Sequence, residues 1–262
     1  MEKRKDIQIF VYCHKEVPYG IQNDSLRTPL EVGYACRDKH VAGAIADNSI
    51  EDNISLMNPV LAELCGLYYI WQTIKNNDEL QWIGAYQYRR LLNLPEDISL
   101  EDLKNVGAIT CRRLKFGVTV EQQFINCHSK KYIDAFHDIT LQLYPEYEED
   151  WNKYIKNSNE LFYSNGFILR TPDFKNYCSW IFNIINTWMT TNGFKTAEDV
   201  QEAVREDIAL GITPNTNTNR GYFYSGQVPC FMSERLWTLW VRHNFEGKIL
   251  EIPYTLMEQS GI

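Results

Sequence analysis

No stretch of this chain approaches the ~20 consecutive apolar residues that a membrane-spanning helix needs. A soluble protein is the expectation, one that can still touch a membrane surface. The charged start, MEKRKDIQIFVYCHK, holds an apolar run too short for a secretory signal. A basic excess is missing too: 26 Lys and Arg stand against 34 Asp and Glu, for a net charge of −8. That balance argues against a nucleic-acid partner. Paired-cysteine patterns are absent. The seven cysteines are odd in number, include no CxxC, and show no Cys/His spacing of a zinc site. Most lie in apolar runs, where a thiol behaves as a small hydrophobe. A reducing, cytoplasmic setting without disulfides is expected. No GxGxxG follows the first strand and no GxxxxGK[ST] occurs, so dinucleotide and P-loop readings fail. There is no GxSxG and no HExxH. The five histidines form no ligand pattern, and no Asp-x-Asp follows an apolar strand.

What is present is a globular composition, 44% hydrophobic and 13% aromatic over 262 residues. That length fits one large α/β domain or two small ones. No repeat and no linker divides it. IQIFVYC (7–13) reads as a first strand, and VGYAC (32–36) as a weak strand or turn. The segment 45–59 is polar. A helix is predicted from Asn58, as N-cap, and Pro59 through about residue 75. Glu63 falls at the edge of its apolar face, either exposed or paired. WIGAYQY (82–88) and VGAITC (106–111) read as strands, with a short helix at 99–105 between them. Residues 119–143 and 145–156 look helical. ELFYSNGFILR (160–170) is a strand interrupted at Asn165-Gly166. Helices follow at 172–189, 197–210 and 233–244, the last capped by Ser233, and 248–253 is a final strand. Alternating strands and helices favour a mixed, mostly parallel α/β sheet, with ligands at the carboxyl ends of its strands.

Two of those strands run into arginine pairs, Arg89-Arg90 and Arg112-Arg113. If the strands are neighbours, four guanidinium groups crowd one rim. Phosphate is the natural guest of such a cluster, because guanidinium matches it bidentately. The alternative is that the arginines meet solvent or pair with Asp97, Glu101 and Asp102.

Five motifs recur in a known order: VYCHK, DNSIEDNIS…NPVLAELCGLYYIWQ, WIGAYQYRR, FYSNGFILR followed by a helix, and FMSERL. With these the chain resembles the bacterial domain-of-unknown-function family 4422 from about residue 7 to 255. That family is associated with capsular and exopolysaccharide gene clusters and is regarded as glycosyltransferases, some of them galactofuranosyltransferases. Two departures stand out. The family usually has His before Tyr-Arg-Arg, where this chain has Gln87, and Asn-Met-Phe where this chain has Asn165-Gly166-Phe167. The Gln keeps hydrogen bonding and lacks a titratable group.

The resemblance implies a GT-A-like fold, a Rossmann-related three-layer sandwich with a mostly parallel mixed sheet. It implies one domain over 1–262, with a nucleotide-binding half at about 1–115 and an acceptor side at about 116–262. It further implies a UDP-sugar donor and a lipid-linked oligosaccharide acceptor at the inner face of the membrane. GT-A enzymes typically end this strand in Asp-x-Asp, which holds a metal on the diphosphate. Here Tyr86-Gln87-Tyr88 and Arg89-Arg90 stand there instead. Fixed cations can neutralise a departing diphosphate in place of a metal. Manganese or magnesium held by scattered acids such as Asp47 or Asp52 is the alternative. Glu234 is the first candidate for the base of an inverting transfer, with Glu63 and Asp47 behind it. His14, Lys15, Asp52, Asn53, Tyr88, Arg89, Arg90, Arg112, Arg113 and Arg235 are candidates for the donor and its diphosphate. Tyr86, Asn165, Gly166, Tyr222 and Tyr224 are candidates for the sugar and acceptor, with Tyr222-Phe223-Tyr224 as a lid. Helix 173–189, carrying Trp180, Phe182 and Trp188, either grazes lipid or is buried in the domain.

Overall fold

The run Ile7–Cys13 is apolar at nearly every position, as a strand covered on both faces must be. It forms β1 at the heart of the sheet. The structure, a computed structural model, describes residues 4–17, 21, 24–75, 77, 79–95, 97–214 and 226–256. Around β1 lie β2 (Arg27–Glu31), β3 (Ile45–Ala46), β4 (Trp82–Gln87), β6 (Ala108–Cys111), β9 (Phe167–Arg170) and β10 (Ile249–Ile252). Their order is β10-β6-β9-β4-β1-β2-β3. Each neighbouring pair is parallel except the two made by β9, which runs antiparallel between β4 and β6. Two small antiparallel pairs flank the sheet: β5 (Arg90–Leu92) with β11 (Tyr254–Leu256), and β7 (Leu114–Lys115) with β8 (Glu160–Leu161).

Strand alternation sorts the core into two layers. Phe10, Tyr12, Ile83 and Ala85 face α2 (Leu64–Thr73), α6 (Thr171–Thr191) and α8 (Val228–Phe245). Ile9, Val11, Trp82 and Tyr86 face the other way, against Leu26, Val41, Leu92, Leu94 and Leu103 from loops and β5. The result is a GT-A-like α/β sandwich: helices, a mostly parallel sheet, and a third layer of coil and short strands. At Gly84 a Cβ would lie 2.7 Å from the Phe167 carbonyl oxygen and 2.6 Å from Ile168 Cγ1, so β4 and β9 pair this closely only around glycine.

Several expected elements come out differently. The helix predicted from Asn58 is broken into α1 (Asn58–Leu61) and α2 by Ala62, whose φ of 44° and ψ of −121° leave the helical region. Asn58 is the first helical residue, not the cap, and its Nδ2 donates to the Ala62 carbonyl at 3.1 Å. Residues 99–105 form turns. Ser99 and Asp102 do exchange the bonds of a capping box, but no helix follows them. The span 119–143 divides into α3 (Val120–Ile125) and α4 (Lys130–Leu143), because the Ser129 hydroxyl starts a new helix by accepting from Lys131 N. Beyond them, α5 (Glu148–Trp151) runs into a π-helical turn at Asn152–Lys156, and α7 (Ala197–Ala209) opens on a capping box from Thr196 to Asp199. Tyr34–Cys36 is a 3-10 turn. Helix α8 begins at Val228, with Pro229 in its first turn, so Ser233 lies inside it rather than capping it.

On α6, Trp180, Phe182 and Trp188 are buried. No helix among the described residues is long and apolar enough to cross a membrane. The seven cysteines are all unpaired.

Candidate active site

Register decides what meets at the rim. Tyr12 lies opposite Gln87, and Cys13 opposite Glu31. The chain therefore leaves β1, β2 and β4 at one edge, the carboxyl end of three parallel strands. There His14, Lys15, Arg37, Asp38, Lys39 and His40 line a cleft of about 490 Å³. Three fixed cations stand in it against one acid. Arg37 ties the strand exits together by donating to the carbonyls of His14 (3.0 Å) and Val32 (3.3 Å). His40 stacks on Tyr34 with ring centres 3.6 Å apart, and its Nδ1 lies 3.3 Å from buried Glu31. The His14 ring meets Tyr88 edge-on at 4.8 Å. Burial, with Arg37, Arg89 and Lys15 adding to it, pushes the His14 imidazole down to about 4.

A second centre lies where α2, α8 and the turn before β9 converge. The break at Ala62 turns the chain so that Glu63 stands at the N-cap position of α2. Its Oε1 accepts from Gln87 Nε2 (3.2 Å) and Asn165 Nδ2 (3.1 Å), and its Oε2 from the Cys230 thiol (3.3 Å). Three donors from three elements thus fix one carboxylate. Glu234 is 7% exposed and faces the same turn. Its Oε1 accepts from Ser164 N at 2.8 Å, and its Oε2 is 3.1 Å from Arg235 Nη1. Burial pushes its carboxyl up to about 7. Glu63 adds to that rise, while Arg235, the Ser164 N–H and Arg90 oppose it. A buried acid poised near neutrality is suited to exchanging protons with a substrate. The turn that supplies these contacts is strained, with φ of 70° at Ser164 and 48° at Asn165. Asn165 also donates to Ser233 Oγ at 2.7 Å, which joins the turn to α8.

The first arginine pair spans the two centres. β4 ends at Gln87, and Tyr88-Arg89 forms the turn into β5. The Arg89 guanidinium lies 5.6 Å from the Tyr88 ring, near enough to His14 to act on its charge. Arg90 goes the other way. It donates to Gln87 Oε1 and sits 4.7 Å from the Tyr163 ring.

The second pair does not join them. β9 lies between β4 and β6, so the two pairs leave the same edge of the sheet one strand apart rather than from neighbouring strands. Arg113 is held by Glu160 (2.9 Å) and Glu251 (2.7 Å), and the Arg112 side chain is exposed. Other candidates are also structurally committed. Asp47 accepts from Gly33 N, Tyr34 N and the Ser55 hydroxyl, which makes it the clamp of the 33–34 turn rather than a base. Asn53 bonds within its own loop, and Asp52 accepts from Tyr68. Tyr86 is buried on the far face, where its hydroxyl accepts from Arg27, so it does not stack on a sugar. Arg235 is buried between Glu234, the Phe231 carbonyl and Gln123, with its guanidinium committed to these partners. Gly166 has an ordinary extended backbone, and a Cβ there would make normal contact at 3.5 Å. The residues in the left-handed region are its two predecessors. Tyr222, Phe223 and Tyr224 lie outside the described residues.

Sequence reasoning missed Arg37, Lys39, His40, Tyr163 and Cys230. The charge-dense stretch Arg37–His40 was a usable signal. Cys230 and Tyr163 gave none, because only the packing of α8 on the turn brings them to Glu63 and Arg90. A metal suggested by the fold has no ready seat: among the described residues no three His, Cys, Asp or Glu side chains are grouped to hold one.

The profile of the family described as Domain of unknown function (DUF4422) matches residues 8–206. A solved structure described as the apo form of the WbbM bifunctional glycosyltransferase has the same fold. It superposes with a TM-score of 0.72 at 19% identity, over 97% of this chain and 46% of that one. The present chain thus spans less than half the length of that protein. No curated protein matches.

Proposed function

The chain belongs to the DUF4422 family, and from that premise we propose that it is a glycosyltransferase. In this reading it moves a sugar from a UDP-sugar to a lipid-linked oligosaccharide in capsular or exopolysaccharide assembly, with galactofuranose as the donor sugar to try first. The enzyme works at the cytoplasmic face of the inner membrane. The observation that carries the reading is the pairing of two unlike centres across one short turn. A cationic cleft sits at the strand ends, and a buried carboxylate poised near 7 sits beyond Arg90.

The chemistry is an inverting displacement. Glu234 takes the proton from the acceptor hydroxyl as its oxygen attacks the anomeric carbon. The bond from that carbon to the diphosphate oxygen breaks, and UDP leaves with the electron pair. Arg89, with Lys15 and Arg37, faces the charge that develops on the leaving group, and Arg90, bonded to Gln87, stands between that charge and Glu234. Each charged hydrogen bond is worth roughly 1.5–3 kcal/mol net, so a few of them match what one metal contact supplies. Glu63 and Asn165, locked together, hold the sugar side of the site.

The test is calorimetric titration of UDP into wild type and Arg89→Ala/Arg90→Ala, with manganese and with EDTA. Binding that survives EDTA and fails in the variant supports the reading. Binding that requires manganese moves the diphosphate onto a metal. No UDP binding under either condition favours a non-catalytic partner of a synthesis complex, whereas loss of activity in Glu234→Gln with UDP affinity retained argues against that partner.

A further inference from the structure

We propose that His14 is a proton-linked ligand of the donor: neutral before the donor binds, it takes a proton from solvent as the diphosphate enters the cleft and then donates a charged hydrogen bond to it. This rests on reading the cleft as the diphosphate site.

The argument starts from the surroundings of the ring. Lys15 follows it in sequence. Arg37 bonds its carbonyl, and Asp38, Lys39 and His40 complete the lining. Tyr88 braces the ring edge-on, with the phenol oxygen 3.4 Å from Nε2, and Arg89 comes from the same turn. Glu16 acts on Tyr88 from the exit of β1. Cations dominate this shell. In that field, and partly buried, the imidazole stays neutral, at about 4. A diphosphate reverses the sign of the field. It neutralises Lys15, Arg37 and Arg89 and places two negative charges beside the ring. Protonation then becomes favourable, because an opposite charge within a few ångströms favours the charged form. The device adds a cation only when its partner arrives, so a fifth positive charge need not be held in the unliganded fold.

The experiment uses UDP-galactose, whose esterified diphosphate does not itself titrate between about pH 5 and 8. Binding is measured calorimetrically in two buffers of different ionisation enthalpy, for wild type and His14→Gln. If the bound imidazole returns to about 6.5, wild type takes up nearly one proton at about pH 5.5 and binds about tenfold tighter there than at pH 7.5. His14→Gln loses both effects. In wild type alone, the imidazole resonance of His14 should titrate near 4 without ligand and between about 6 and 7 with it. Proton uptake that persists in His14→Gln, or an unmoved imidazole titration, overturns the inference and leaves the donor reading standing. Absence of wild-type binding to both UDP-galactose and UDP overturns both.

Discussion

Glu234 and Glu63 are chemically the same side chain, and their surroundings separate them. Glu63 receives three donors and no cation in contact, whereas Glu234 receives one N–H and one guanidinium while being nearly sealed from water. Two acids whose environments diverge are the usual mark of divided roles. If Glu234 is the base, kcat should rise with pH through about 7 and level off above it. Glu234→Gln should lower kcat by about 10²- to 10⁴-fold and abolish that limb, with steady-state kinetics from pH 5.5 to 8.5 as the check. A rate that stays flat through pH 7 in wild type would remove Glu234 from the proton transfer. The same shift has a consequence for stability. The fold raises this pKa above the ordinary 4.5, so the stabilisation is full below 4.5 and is lost as pH rises through about 7. Denaturant titrations should show wild type losing up to about 3 kcal/mol over that window, and Glu234→Gln should lack this loss. The sequence reading reaches Glu234 by placing it in a first helical turn. In the structure it lies inside α8 and its chemistry comes from burial, which no local pattern reveals.

Among the elements, the ones dictated by local pattern were legible, and the ones set by contact were not. The strands β1 and β4 announce themselves as apolar, β-branched and aromatic runs. The break between α1 and α2 does not, because Ala62 is the best helix former there is. Its backbone, at φ 44° and ψ −121°, is held by the contacts of its neighbour: Glu63 must reach Gln87, Asn165 and Cys230 at once. A non-glycine residue in such a region costs of order 1–3 kcal/mol. Ala62→Gly should therefore stabilise the protein by about 1 kcal/mol after the entropic penalty of glycine in the unfolded chain, a rise of about 2–4 °C in Tm. Thermal unfolding measures it directly. A lower Tm would mean that the methyl group, rather than the backbone, carries the local energetics. The arginine pairs teach the same lesson. Their proximity depended on which strands are neighbours, and the antiparallel insertion of β9 is a property of topology that the two segments do not encode.

At the scale of the whole molecule, charge and topology pull in opposite directions. The chain carries a net charge of −8, which taken alone repels a dianionic nucleotide sugar. Yet the parallel strands β2, β1 and β4 discharge their carboxyl ends into one edge, and there cations outnumber acids, with Lys15, Arg37, Lys39 and Arg89 against Asp38, Glu16 and the buried Glu31. The Debye length decides which field the ligand feels. At about 0.1 M salt it is roughly 10 Å, shorter than the span of the sheet. Acids spread over the outer surface are largely screened from a ligand in the cleft, and the cations lining the cleft are not. Raising sodium chloride from about 50 to 500 mM should then weaken UDP-galactose binding several-fold, because the remaining attraction is itself partly exposed and screened. If net charge governed the encounter, the same salt would relieve repulsion and tighten binding. Calorimetry at about pH 8, where His14 is neutral whether or not the ligand is bound, keeps proton uptake out of the measurement. Weakening there places the attraction in the fixed cations of the strand rim; tightening would put the donor somewhere else on the molecule.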